Sequence, residues 1–340
     1  MKRLLAALIV ISVMMGLASC NSGGTSSQGS SSVQASDTSS DFPSKPITII
    51  NPSSPGDTYD LLCRLIARHA EKYLGTTVIV ENVSGGSFTI GTKKALEDAS
   101  GYTWVIGTNQ QFGLTPYILK ADYDPVNDWC TTGSVGECRW TLVASTKTLQ
   151  RINCSTTEEL LQYIKDHPGE LKCACRSATT TMLATKLAKA GYETTLVSYS
   201  SASEAAVAVG NGEADLGIGA SNVFQALAEN DNLKYVLEMP GSEEYPFAVE
   251  SVPRSDFEFP DIGEAQGATQ NTWYQLYSSC NVPQEIQDTM NKMIEDLGKD
   301  PDFQQDLLNI NIVPSYHTAD EVKAIIAEEY EDTANYYDLA

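Results

Sequence analysis

Histidine and positive charge are scarce in this sequence. Only His69, His167 and His317 occur in 340 residues, each far from a cysteine pair. A structural zinc site needs four suitably spaced ligands, and a Ser-His-Asp site needs a histidine beside its nucleophile. No G-x-S-x-G elbow, P-loop or HExxH helix is present either. These gaps argue against an enzyme and against a metal, and they call for no cofactor. Lys and Arg number 22 against 44 Asp and Glu, a net charge of −22. Phosphate backbones require clustered basic side chains, so nucleic acid is set aside as a partner. The acidity speaks to solubility and leaves the sign of any pocket open.

Long apolar runs are missing after residue 19. Before it, Lys2 and Arg3 lead into "LLAALIVISVMMGLA", too short to favour a membrane span and ending in small residues. That is the form of an export signal. The run closes as "LASC" at Cys20, which resembles the lipobox of bacterial lipoproteins and implies cleavage before Cys20 and a lipid on its thiol. An ordinary signal peptide with an incidental cysteine is the alternative. Residues 20–41 are almost wholly Ser, Gly, Thr and Gln, a composition that forms a disordered tether. The expected location is therefore extracytoplasmic. The chain would be lipid-anchored to the outer face of the cytoplasmic membrane (or on the periplasmic side), with no other membrane segment. Without Lys2 and Arg3 the net charge becomes −24.

Seven further cysteines remain: Cys63, Cys130, Cys138, Cys154, Cys173, Cys175 and Cys280. The odd count leaves at least one unpaired. By spacing, Cys130 and Cys138 are the best local pair. Cys173 and Cys175 alternate on a strand, share a face and would be strained if bridged.

From residue 46 the chain alternates strand and helix. "PITII" is a short buried strand, and "YDLLCRLIARHAEKYLG" a helix stopped by Gly75. "TTVIVE" and "YTWVIGT" are strands, with a helix between them. The alternation resumes with "TLVAST", "ELKCAC", "ETTLVSYS" and "ADLGIGA" as strands. It passes a loop-rich stretch at 240–270, returns as the strand "TWYQLYSS", and closes with three helices. This pattern predicts an α/β fold of mostly parallel sheets with flanking helices.

Several segments together resemble the extracytoplasmic solute receptors of tripartite tricarboxylate transporters, the Bug proteins. The family reads "YPSKPI", a strand, then "P-x-x-PGG-x-x-D" with Arg four residues on. Here "FPSKPITIINPSSPGDTYDLLCR" matches at Pro43, Ser44, Lys45, Pro46, Ile47, Pro52, Pro55, Gly56, Asp60 and Arg64. "LGTTVIVENVSGGSFTIG" is similar to the family's "LGQ-x-V-V-V-ENRPGAGG-x-IG", and "HPGELKCACRSATTT" to "NPGKLNYASSGxGS". The resemblance runs from Phe42 to the last helix. It implies a two-lobed periplasmic-binding-protein fold of type II, with 42–142 plus 272–340 as one lobe and 143–271 as the other. It also implies a monomer that captures a small organic anion or zwitterion between the lobes and passes it to the membrane subunits of a secondary transporter. A sensing module, or a secreted enzyme on the same scaffold, is the alternative.

The residues themselves suit such a jaw. In "PSSPGDTYD", Gly56 permits close approach of backbone, Ser53 and Ser54 offer hydroxyls, and a helix start lies behind them. In the second loop Ser84, Gly85, Gly86, Ser87 and Thr89 repeat the combination, and Phe88 can fill space or stack on a planar ligand. Two departures from the family matter. Its second Gly in the first loop is Asp57 here, which either caps the helix or faces the cleft and attracts an ammonium. Its small polar residue in the opposing loop is Arg176, whose planar fork can clasp a carboxylate. Ser177, Thr179, Thr180, Tyr199, Ser200, Ser221 and Asn109 complete the expected ligand-binding set. Trp273 reads as core.

The lipobox has a direct test. Cys20→Ala should release the protein from the membrane fraction into the soluble fraction, and unchanged retention would contradict lipidation.

Overall fold

The computed structural model describes residues 42–138, 140–238 and 272–338. The signal peptide, Cys20, the tether and the loop-rich stretch at 240–270 lie outside the described residues. The strands are β1 Ile47–Asn51, β2 Val78–Asn82, β3 Thr103–Thr108, β4 Trp129–Cys138, β5 Trp140–Ser145, β6 Lys172–Cys175, β7 Thr195–Ser198, β8 Leu216–Ala220, β9 Leu233–Glu238, β10 Thr272–Ser279 and β11 Val313–Pro314. Between them run helices α1 Thr58–Leu74, α2 Thr89–Leu96, α3 Asn109–Gly113, α4 Thr115–Leu119, α5 Thr146–Arg151, α6 Thr157–Asp166, α7 Ala178–Lys189, α8 Ala202–Asn211 and α9 Ser221–Glu229. Helices α10 Gln284–Gly298, α11 Pro301–Asn309 and α12 Ala319–Asp338 follow β10. No described helix is long and apolar enough to cross a membrane.

Two sheets form the two lobes. The first has the order β11-β4-β10-β3-β1-β2, the second β7-β6-β8-β5-β9. Both are mixed, where alternation alone suggested mostly parallel sheets. In the first, β1 pairs parallel with β2 and β3, but β10 runs antiparallel between β3 and β4. In the second, β6 pairs parallel with β7 and β8, and β5 pairs antiparallel with β8 and β9. By direction, β10 and β11 run against β1–β4 in the first sheet and β5 runs against β6–β9 in the second, and the chain passes between the sheets from β4 to β5 and from β9 to β10.

Period-two alternation loads both faces of the first sheet. Ile47, Ile49, Trp104 and Ile106 turn to α1 and α10, while Ile50, Val105 and Tyr277 turn to Phe112, Trp129 and α12. Helix α1 buries Leu62, Leu65, Ile66, Ala70 and Leu74 at helical spacing and ends at Gly75 in the left-handed region (φ 66°), whose N–H donates to Glu71 O at 2.9 Å.

Strand β4 carries a correction. Cys130 and Cys138 do not pair. They stand eight residues apart on one extended strand, roughly 26 Å at about 3.3 Å per residue, and both are free thiols. The strand escapes the sequence pattern because "WCTTGSVGEC" carries two glycines. Both permit close approach of the C-terminal segment: a Cβ at Gly133 would lie 2.5 Å from His317 O, and one at Gly136 would lie 3.0 Å from Val313 O. Cys173 and Cys175 do share a buried face of β6, also as free thiols.

The two loops of the first lobe meet behind Gly91. A Cβ there would sit 2.6 Å from Val83 O and 3.1 Å from Pro52 Cα. Gly91→Ala should force these backbones apart and destabilise the protein by about 1–3 kcal/mol, read as a lowered urea midpoint; a wild-type midpoint would contradict this packing.

Candidate functional site

The first loop is braced before it reaches the cleft. Asn51, at the end of β1, accepts from Ser53 N through Oδ1 at 3.0 Å and donates through Nδ2 to Asn82 Oδ1 at 2.9 Å. Gly56 sits at φ 82°, and its N–H donates to Asp60 Oδ2 at 2.9 Å. Asp60, not Asp57, is thus the carboxylate that accepts a backbone N–H at the start of α1. Asp57 makes no side-chain capping bond.

Asp57 faces the cleft instead. It is 5% exposed and accepts from Ser53 Oγ at 2.7 Å and, across the gap, from Ser203 Oγ at 3.1 Å. Arg176 reaches over from the loop after β6. Its Nη2 donates to Ser53 Oγ at 2.6 Å and lies 3.6 Å from Asp57 Oδ2. Asn222 Nδ2 adds a third crossing by donating to Thr58 Oγ1 at 3.0 Å. Burial pushes the Arg176 guanidinium below its ordinary value, while the Asp57 carboxylate, with Tyr59 and Tyr274, works the other way.

The second loop is strained in a purposeful way. Gly85, Gly86, Ser87 and Phe88 all have positive φ, 126°, 57°, 50° and 79°. Phenylalanine rarely enters this region, and such outliers cluster at ligand clamps. The result places the Phe88 ring 4.4 Å from Arg176 Cζ and 5.3 Å from the Tyr59 ring. A cation over an aromatic face is attracted to it.

Arg176, Phe88 and Ser177 stand between two spaces. Inside lies a cavity of about 70 Å³ whose wall includes Asp57, Tyr59, Thr108, Gln111, Trp140, Thr179, Thr180, Val223, Phe224 and Tyr274. Outside lies a more open vestibule of about 360 Å³ walled by Ser54, Ser84, Gly85, Gly86, Ser87, Tyr199 and Ser200. The expected residues therefore divide between an inner, largely apolar chamber and an outer, polar one. Thr180 Oγ1 accepts from Arg176 N at 3.0 Å and Ser177 N at 2.9 Å, which holds the Arg176 loop against the start of α7.

Five expected residues border neither space, among them Gly56, whose N–H is turned to Asp60. Asn109 is fully buried, donates to Glu329 Oε1 at 2.7 Å and accepts from Trp273 N at 2.8 Å. Ser221 is buried, and its carbonyl accepts from Tyr235 Oη at 2.7 Å. Thr89 Oγ1 donates to Gly86 O at 2.7 Å, and Ser53 acts through Asp57 and Arg176. Other contributors were not anticipated. Tyr59, Trp140, Tyr274 and Ser203 carry no local signal that separates a cavity wall from a packed core or a helix face. Asn51 ends a strand just before a proline, a position that signals a turn brace.

Cys138, a thiol in the inner wall, is pushed up to about 12 by burial, opposed by its contact with Tyr274 Oη at 3.0 Å, so it stays protonated at neutral pH. Among the described residues no group of three or more His, Cys, Asp or Glu is placed to hold a metal.

A family model described as "Tripartite tricarboxylate transporter family receptor" matches residues 62–335. A UPF0065 protein from the TAR-I ttuE-ttuC' intergenic region of Agrobacterium vitis is 25% identical over 292 residues, covering 80% of this chain and 77% of its own. Among solved structures, an R. palustris protein with adipate superposes with a TM-score of 0.73 at 21% identity, covering 87% of this chain and 98% of that one. MatC from Rhodopseudomonas palustris with bound malate gives 0.71 at 19% identity, covering 86% and 100%. At these identities the two structures speak to the fold: two-lobed, as in periplasmic binding proteins.

Tyr59 supplies a test of the inner wall. Burial pushes its hydroxyl up to about 12, with Thr108 and Arg176 opposing. A raised pKa means the stabilisation is complete below pH 10 and is lost as pH rises to about 12, because the unfolded chain ionises first. The loss should reach about 3 kcal/mol. Tyr59→Phe should flatten that part of the stability–pH curve; an unchanged curve would contradict the burial.

Proposed function

The chain belongs to the tripartite tricarboxylate transporter receptor family, and we propose that it captures a small organic carboxylate or zwitterion between its lobes for delivery to the membrane subunits of such a transporter. It is an extracytoplasmic solute receptor, not an enzyme. The observation that carries the ligand reading is the inner cavity, where Arg176 of one lobe meets Ser53 and Asp57 of the other beside a largely apolar wall. A planar guanidinium in a dry site is a strong carboxylate partner. Adipate and malate in the R. palustris structures support a small ligand that carries a carboxylate.

Closure is the mechanism. Contacts from both lobes bury the ligand, and each favours the closed population by its differential affinity for that state. In this proposal residues 42–142 plus 272–340 move as one lobe and 143–271 as the other. The loops after β1 and β2 form one jaw, and the loop after β6 forms its opponent. The molecule acts as a monomer, held to the outer face of the membrane by a lipid on Cys20.

A thermal-shift screen of organic acids and amino acids tests the receptor reading. A ligand at about 100 times its Kd adds about 2.7 kcal/mol of stability; no shift with any of them would count against it. Arg176→Ala should then weaken an anionic or zwitterionic ligand by tenfold or more, on the order of 1.5–3 kcal/mol for a charged hydrogen bond. Unchanged affinity would remove Arg176 from the site.

A further inference from the structure

The charge balance of the inner cavity narrows the ligand, given that the receptor reading above holds. Among the described residues that line it, Arg176 is the one cation and Asp57 the one carboxylate, so their charges cancel. A dicarboxylate would bring two negative charges to a guanidinium that already faces Asp57 at 3.6 Å. A buried charge without a partner is strongly disfavoured. An α-amino acid brings one charge of each sign on adjacent groups and leaves the balance at zero.

The unused hydrogen-bonding capacity points the same way. Only Nη2 of Arg176 is engaged among the described residues, leaving Nε and Nη1 as donors for a carboxylate. Each Asp57 oxygen accepts from one serine hydroxyl and keeps a further lone pair. Gln111, in the same wall, is buried, donates through Nε2 to Thr92 Oγ1 at 3.2 Å, and has an Oε1 that finds no donor among the described residues. A buried acceptor of this kind calls for an N–H or O–H. A plain dicarboxylate such as adipate has neither, malate has one hydroxyl, and an ammonium has three N–H donors. The remainder of the wall holds no second cation; beside the hydroxyls of Thr58, Thr108, Thr179 and Thr272 it presents Trp140, Ile218, Val223 and Phe224 to an apolar side chain.

We propose that the ligand is a small zwitterion, an α-amino acid with an apolar side chain, its carboxylate on Arg176 and its ammonium on Asp57. Departure from the family pattern at these two positions then acts as a matched change: one residue adds the cation for the carboxylate, the other the anion for the ammonium.

Isothermal titration calorimetry on the full chain in mild detergent tests this. The probes are L-leucine and L-phenylalanine, their deaminated acids 4-methylpentanoate and 3-phenylpropanoate, the corresponding amines, and malate, adipate and L-aspartate. At least one apolar amino acid should bind about tenfold or more tighter than its deaminated acid and its amine, because a site built to hydrogen-bond a group rejects the analogue lacking it. It should also bind tighter than L-aspartate. Asp57→Asn should erase most of the preference over the deaminated acid, read as the ratio of the two Kd values. Where this variant fails to fold, the wild-type ratios alone decide. Equal or tighter binding of the deaminated acids, malate, adipate or L-aspartate would overturn the zwitterion assignment and leave the receptor reading standing. Binding of none of the probes would overturn both.

Discussion

A guanidinium and a carboxylate from different sheets meet where little water reaches. Arg176 is 15% exposed in its side chain and Asp57 5%. Neither charge can be left alone at that depth. Ser53 therefore stands between them, accepting from Arg176 and donating to Asp57. This three-residue bridge joins the end of β1 to the end of β6. Anything that moves one lobe against the other must break it or replace it. A ligand that offers its own carboxylate and its own ammonium replaces it on both sides at once, which couples binding to closure without a separate latch.

The surrounding fold holds that bridge in place. Asn51 and Asn82 tie the ends of β1 and β2 together, and Gly91 lets the two following loops sit back to back. Four successive residues of positive φ then swing Phe88 over the guanidinium. Such a run costs conformational energy that surrounding contacts must hold in check. Its product is a flat hydrophobic cover that separates an inner chamber from an outer one. Serine hydroxyls and glycines dominate the outer space, while the inner space holds more of the aromatic rings together with threonine hydroxyls.

Much of this layout is written in local sequence. The strand–helix alternation, the stop at Gly75 and the loop positions follow from periodicity and glycine placement. What escaped is what depends on distant partners. Asp57 is equally suited to capping and to the cleft, and only Ser203, 146 residues away, and Arg176 decide between them. Asn109 has the same chemistry as a ligand contact, but the short helix α3 turns it toward Glu329 in α12. Strand β4 lacks clear alternation because its glycines serve a close backbone approach rather than side-chain packing. Aromatic residues such as Tyr59 and Trp140 carry no local mark of a ligand wall, yet they line the cavity between the two sheets.

The most direct measurement is a crystal structure of the protein with the small molecule that copurifies with it, identified by mass spectrometry. That molecule should lie in the inner cavity, with a carboxylate within hydrogen-bond distance of Arg176 and a nitrogen facing Asp57. A ligand lying wholly in the outer vestibule, with the Arg176–Ser53–Asp57 bridge and the Phe88 contact intact, would contradict it.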